Sequence, residues 1–179
     1  MKILAFGASN SKQSINRQLA NYAANLVSGA EVELLDLNDY EMPLFSIERE
    51  LALGQPELAL AFRQKIAEAD ALVISFAEHN GSYSVAYKNL FDWTSRIDGK
   101  VFQGKPVVYL STSPGGRGGA GVLAAAANSA PHFGAELIAN MSVPSFFDNF
   151  DVDAKRPSNT EIEQKLKEAM GLLEQVLNE

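Results

Sequence analysis

Five short apolar runs, spaced widely enough to hold a helix between each pair, constrain this chain more than any other feature. They are Ile3 to Phe6, Val32 to Leu35, Leu72 to Phe76, Val107 to Leu110 and Leu137 to Ala139. Most lack the alternation of a half-exposed strand, so both faces of these segments need cover. The segments between them carry helical spacing. Leu19, Tyr22, Ala23 and Leu26 recur at i, i+3, i+4 and i+7, and Leu58, Phe62, Ile66 and Ala69 repeat the pattern. Helices are also expected over Ala86 to Ile97, around the alanine-rich stretch Leu123 to Ala127, and along Ile162, Leu166, Ala169, Leu173 and Val176. Ser28-Gly29 stops the first helix, Pro56 suits a first helical turn, and Thr160 to Glu163 has the capping-box spacing. Residues 36–56 and Ser142 to Ser158 read as loops.

Strand and helix alternating five times imply an α/β chain with a five-stranded parallel sheet covered on both faces, which fits a doubly wound three-layer sandwich; the flavodoxin-like strand order 2-1-3-4-5 is assumed for it. At 179 residues, one domain covering 1–179 is expected. A net charge of −7 repels phosphate backbones and anionic lipid, so neither nucleic acid nor a membrane surface is expected as a partner. With no cysteine, thiolate chemistry and disulfides are excluded. The apolar run at Ile3 to Phe6 is too short for a signal peptide or a span, which gives a cytoplasmic expectation.

In such a sheet, ligands bind beyond the carboxyl ends of the strands where strand order reverses. The loops after strands one, three and four are unusually polar or glycine-rich: Gly7 to Asn16, Ala77 to Ser82 and Ser111 to Gly119. The assumed strand order makes them converge. The first, GASNSKQSIN, opens a helix, where outward backbone N–H groups and hydroxyls suit a phosphate; Ser14 or Asn16 serving only as a helix cap explains it equally well. No Gly-Lys-Ser/Thr follows, so it is not a triphosphate loop. Gly116, Gly118 and Gly121 match GxGxxG, with Glu136 at the distance of a ribose-binding acid. Glu136 precedes its strand, however, at the wrong end of the sheet for that role. There is no Gly-x-Ser-x-Gly elbow for a hydrolase, and two histidines in distant segments make a poor metal site.

Together the three loops resemble the NADPH-dependent FMN reductase family, which includes quinone, azo and chromate reductases. Ala8 to Arg17 aligns with the family's Gly-Ser-x-Arg-x-x-Ser-x-Asn-Arg. Glu78, Asn80, Gly81, Ser82, Lys88, Asn89, Asp92 and Trp93 match its second motif, and Ser113 to Gly119 its third. Asp36-Leu37 leading to Pro43-Leu44-Phe45 fits the family's acidic loop after strand two. The resemblance implies FMN as cofactor and NADPH or NADH as reductant. It further implies ping-pong hydride transfer onward to a small quinone-like or azo acceptor, with no catalytic side chain. It places Ser9, Ser11, Ser14, Ile15 and Asn16 on the ribityl phosphate. Glu78, His79, Asn80 and Gly81 would wrap the isoalloxazine, and Ser113 with its neighbours, Gly116 included, would close the pyrimidine end. Ser11 stands where the family carries an arginine, with Lys12 and Arg17 as candidate replacements for its charge. Ala77, His79 and Ser84-Val85 depart from the family's proline, tyrosine and Pro-Gly. The alternative is an FMN electron carrier reduced by a protein partner. Family members are commonly homodimers or homotetramers, and the Ala86 to Ile97 helix and the phenylalanine-rich loop are the expected contact surfaces.

Overall fold

The computed structural model describes residues 1–179. Its main sheet is built from β1 (Lys2–Ala8), β2 (Glu31–Leu35), β3 (Ala71–Phe76), β6 (Pro106–Thr112) and β7 (Glu136–Val143), all parallel, in the order β2-β1-β3-β6-β7. Counting sheet strands alone, this is the expected 2-1-3-4-5. Two small antiparallel ladders lie outside it: β4 (Glu78–His79) with β5 (Ser82–Tyr83), and β8 (Phe150–Asp151) with β9 (Arg156–Pro157).

The side chains of β1 and β3 are buried on both faces, and they divide two cores between them. Leu4, Phe6, Leu72 and Ile74 face α3 (Glu57–Glu68), α4 (Val85–Ile97) and α5 (Ala120–Ser129). Ile3, Ala5, Ala71 and Val73 face α1 (Ile15–Ala24) and α7 (Thr160–Leu177). Burying each large apolar side chain such as Phe6 or Ile66 stabilises the fold by roughly 1.5–3 kcal/mol. Within the first of these layers, neighbouring helices are unequal in bulk. Helix α5 offers Val122, Leu123 and Ala126 to the core, whereas α4 offers Tyr87, Leu90 and Trp93.

Several local expectations are corrected. The 36–56 segment holds a 3-10 turn (Leu37–Tyr40) and α2 (Ile47–Leu53), capped by Ser46, whose hydroxyl accepts from the Arg49 N–H. This helix buries no side chain, so it lacks the apolar stripe that a periodicity reading detects. Pro56 is the N-cap of α3 rather than part of its first turn, and Ala59, not Leu58, joins Phe62 and Ile66 in the core. Strand β7 runs on to Val143, followed by α6 (Phe146–Asn149), so Ser142 to Ser158 is not one loop. The final helix is capped by Asn159, whose side chain accepts from the Glu161 and Ile162 N–H groups; Thr160 is already helical.

Candidate functional site

Gly7 fixes where the site begins. A Cβ there would stand 2.8 Å from the Arg17 Cα, so only glycine lets the first turn of α1 close onto the end of β1. The turn itself is made by hydroxyls. Ser9 Oγ accepts from the Ser11 N–H, Ser11 Oγ from the Gln13 N–H, and Ser14 Oγ caps α1 through the Arg17 N–H at 3.1 Å. The backbone N–H groups of Asn10, Lys12, Ile15 and Asn16 are left with no partner in the chain. Unpaired donors at the positive end of a helix form an anion site.

Asn16 anchors this turn to the sheet. Its buried amide oxygen accepts from Ser75 Oγ at 2.7 Å and from the Thr112 N–H at 3.0 Å, and its Nδ2 donates to the Thr112 carbonyl at 3.1 Å. One side chain therefore ties the carboxyl ends of β3 and β6 to the start of α1. Its oxygen is saturated by two donors, while the Asn16 main-chain N–H and the second Nδ2 proton have no partner in the chain.

After β3 the chain makes a tight hairpin instead of entering α4 directly. Asn80 and Gly81 both have positive φ, 53° and 79°, as the two-residue Asn-Gly turn requires. Glu78 reaches from this hairpin to the start of α5, where its Oε1 accepts from the Val122 N–H at 2.9 Å and its charge meets the helix's positive end. After β6, Gly118 lies where a Cβ would meet the Val143 carbonyl oxygen at 2.7 Å, and Ser111 Oγ donates to the Gly118 carbonyl. These links tie the second and third loops together.

The three loops enclose a polar cleft of about 300 Å³ at the carboxyl ends of β1, β3 and β6. Of the residues singled out from sequence, Ser9, Ser11, Ser14, Ile15, Asn16, Glu78, His79 and Ser113 line it. Asn80 and Gly81 do not; they form the exposed hairpin tip. Gly116 is exposed and lies outside the lining too. Gln13, Ala77, Thr112 and Pro114 also line the cleft; they lie in the three loops named from sequence but were not singled out, whereas Phe147, 63% exposed at the rim, was missed. Phe147 arrives from α6, distant in sequence, and no motif marks it. His79 also lines a second cleft of about 330 Å³ with Asn10, Tyr40, Met42 and Leu44.

No cation lines the polar cleft. Arg17 turns its Nε to the Leu35 carbonyl at 3.1 Å, and both Arg17 and Lys12 act on Asp36 at the end of β2. Asp36 is held below the usual carboxylate range, chiefly by the Asn38 backbone N–H. Neither Lys12 nor Arg17 lines the cleft. The later part of the second motif is scaffold. Asn89 accepts from the Phe45 N–H and donates to the Met42 carbonyl, and Trp93, fully buried, donates to the Pro43 carbonyl at 2.7 Å. Lys88 and Asp92 pair along α4 at 2.7 Å.

Comparison with known proteins agrees with this geometry. The chain is 34% identical over 123 residues to an NADPH:quinone oxidoreductase of Arabidopsis thaliana, covering 66% of this chain and 61% of that protein. It is 38% identical over 120 residues to a 2-hydroxy-1,4-benzoquinone reductase of a Burkholderia species, covering 66% and 63%. The match thus spans about three fifths of the length of these curated relatives. The solved structure of the flavoenzyme FerB, an NAD(P)H:(acceptor) oxidoreductase from Paracoccus denitrificans, superposes with TM-score 0.77 at 26% identity, covering 99% of this chain and 97% of that one. A flavodoxin from Pseudomonas aeruginosa shares the fold at TM-score 0.57 and 13% identity, over the full length of both chains. The family model for NADPH-dependent FMN reductases matches residues 1–149, from β1 to the end of α6, and so takes in all three loops of the cleft: the chain belongs to the NADPH-dependent FMN reductase family.

Proposed function

We propose that residues 1–179 act as a single cytoplasmic FMN-binding domain that oxidises NADH or NADPH and reduces a small quinone-like or azo acceptor in a ping-pong cycle. The observation that carries this reading is the set of free N–H groups at Asn10, Lys12, Ile15 and Asn16, beside the hydroxyls of Ser9, Ser11 and Ser14. It is a cradle of neutral donors suited to an anion such as a phosphate. FMN, when bound, supplies the two-electron chemistry, and the protein supplies position and electrostatics.

The residues present fit that group. Ser9, Ser11, Ser14, Ile15 and Asn16 would hold the phosphate by hydroxyl and main-chain donors. Glu78 and His79, on the hairpin, would wall one side of the ring, and Ser113 the other. The Asn-Gly turn matters by setting the hairpin's shape, so Asn80 and Gly81 act through geometry. Glu78 lines the cleft while its Oε1 accepts from the Val122 N–H, so the start of α5 holds this carboxylate in place and offsets part of its charge. Phe147 at the rim would exclude water from the reacting face.

A homodimer or homotetramer is part of the proposal. Ile47, Leu51 and Val85 are 63%, 83% and 67% exposed, an unusual apolar display around α2 and the start of α4. Light scattering that finds only monomer would remove this element.

Anaerobic spectroscopy tests the activity. Protein loaded with FMN is mixed with NADH or NADPH, then with a benzoquinone. Rapid bleaching followed by full recovery on adding the quinone is expected. Flavin that binds but stays oxidised with both nucleotides would make the chain an electron carrier served by a protein partner.

A further inference from the structure

A third cavity lies between α4 and α5, lined by Tyr83 of the β4–β5 hairpin, and shares no lining residue with the polar cleft. It holds about 320 Å³, within the range of small-molecule sites. Its origin is the bulk mismatch between the two helices. Ala125 and Ala126 face it from α5, while Tyr83, Tyr87 and Tyr109 face it from the hairpin, α4 and β6. Small side chains on one wall cannot fill what the rings on the other wall hold open.

The cavity is aromatic but not purely apolar. Tyr87 and Tyr109 are almost fully buried, yet the hydroxyl of neither has a hydrogen-bond partner in the chain. Burial pushes both phenols well above their ordinary ionisation range, so they stay protonated donors. Tyr83 brings a third hydroxyl, beside Ser129. The two oxygens are not sealed inside protein but open onto the cavity, where a ligand oxygen could take the place of water as their acceptor. The charged side chains at the mouth, Lys88 and Asp92, neutralise each other, so an anionic ligand would find no counter-charge. Edge-to-face rings such as Phe76 with Tyr109, 5.1 Å apart at 86°, offer walls for a flat ring.

We propose that this cavity is a binding site for a small, neutral, planar aryl carbonyl compound, whose oxygen accepts hydrogen bonds from Tyr87 and Tyr109. The site does not rest on the flavin reading, because no residue of the polar cleft contributes to it.

The test titrates acetophenone, and ethylbenzene as its carbonyl-free analogue, into flavin-free and FMN-mixed protein, followed by amide NMR. Saturable shifts at Tyr83, Tyr87, Ala126 and Ser129 are expected in both samples. Ethylbenzene, or acetophenone with Tyr109→Phe, should bind about fivefold more weakly, the effect of one net hydrogen bond. Ala125→Phe, which plugs the mouth from an exposed position, should abolish the shifts while leaving the rest of the spectrum unchanged. Unsaturable shifts, equal affinity for ethylbenzene, or shifts unaffected by the plug would overturn the assignment. So would an intermolecular NOE showing a second copy's side chain in the cavity.

Discussion

Asn16→Ala should cost stability far beyond the size of the atoms removed. The substitution strands the Thr112 N–H and the Ser75 hydroxyl, both on fully or almost fully buried residues, and frees the Thr112 carbonyl. An unsatisfied buried donor costs about 1–3 kcal/mol, and water reaching the cleft floor softens part of that, so we expect a loss of about 2–4 kcal/mol. For a chain of this size each kcal/mol lowers Tm by about 2–4 °C. The assay is urea denaturation of Asn16→Ala, Ser75→Ala and the double variant. Ser75→Ala alone removes one partner of an oxygen that still accepts from Thr112, so about 0.5–1.5 kcal/mol is expected. Because the two share one bond, the double variant should lose less than the sum by at least about 0.5 kcal/mol. An Asn16→Ala midpoint equal to wild type, or a strictly additive cycle, would refute the argument that this amide ties the ends of β3 and β6 to α1.

Other perturbations probe different parts of the account. Gly7→Ala forces a Cβ into the backbone of α1 and should destabilise by about 1–3 kcal/mol or more, read from the same urea curves; an unchanged midpoint contradicts the close approach. Ser11→Arg restores a cation beside the free N–H groups and should tighten FMN binding at least about tenfold, the effect of one charge-assisted hydrogen bond. Arg17→Gln, by contrast, should leave FMN affinity unchanged, because Arg17 is engaged at the Leu35 carbonyl; a large loss in a fluorescence titration would show that it reaches the phosphate after all. Glu33 is hydrogen-bonded to Lys2 and Lys65, which lowers its pKa from the ordinary 4.5. Its folded pKa is depressed, so its stabilisation is present above 4.5 and is lost as pH falls through the folded value. Wild type and Glu33→Gln should therefore differ in stability at neutral pH and converge in acid; a gap that widens on acidification reverses the sign and the reasoning.

The sheet was legible because its strands are buried on both faces and so are apolar nearly throughout; its order was taken from the flavodoxin-like fold, since helices on both sides allow more than one doubly wound order. What escaped was structure without an apolar signature. Helix α2 buries nothing, and the β4–β5 hairpin is only two residues deep on each strand, although its Asn-Gly turn is a strong local signal. The motif residues proved legible as a group more than as individuals. Ser9, Ser11, Ser14, Ile15, Glu78, His79 and Ser113 meet in one cleft, whereas Asn80 and Gly81 make a turn and Asn89 and Trp93 brace the 42–45 segment. Sequence spacing shows that such residues belong together without showing which of them face a ligand and which hold the others in place. Phe147 and the cavity between α4 and α5 depend on packing between distant segments, which no local pattern encodes.

The central claim is that neutral donors at the start of α1 hold the phosphate of FMN. The most direct test compares FMN with riboflavin, which lacks only that phosphate, in fluorescence-quenching titrations of flavin-free protein. The account predicts saturable FMN binding and riboflavin binding at least about tenfold weaker, since several main-chain donors at a helix N-terminus lose their anion. Equal affinity for the two, or no binding of either, would contradict it.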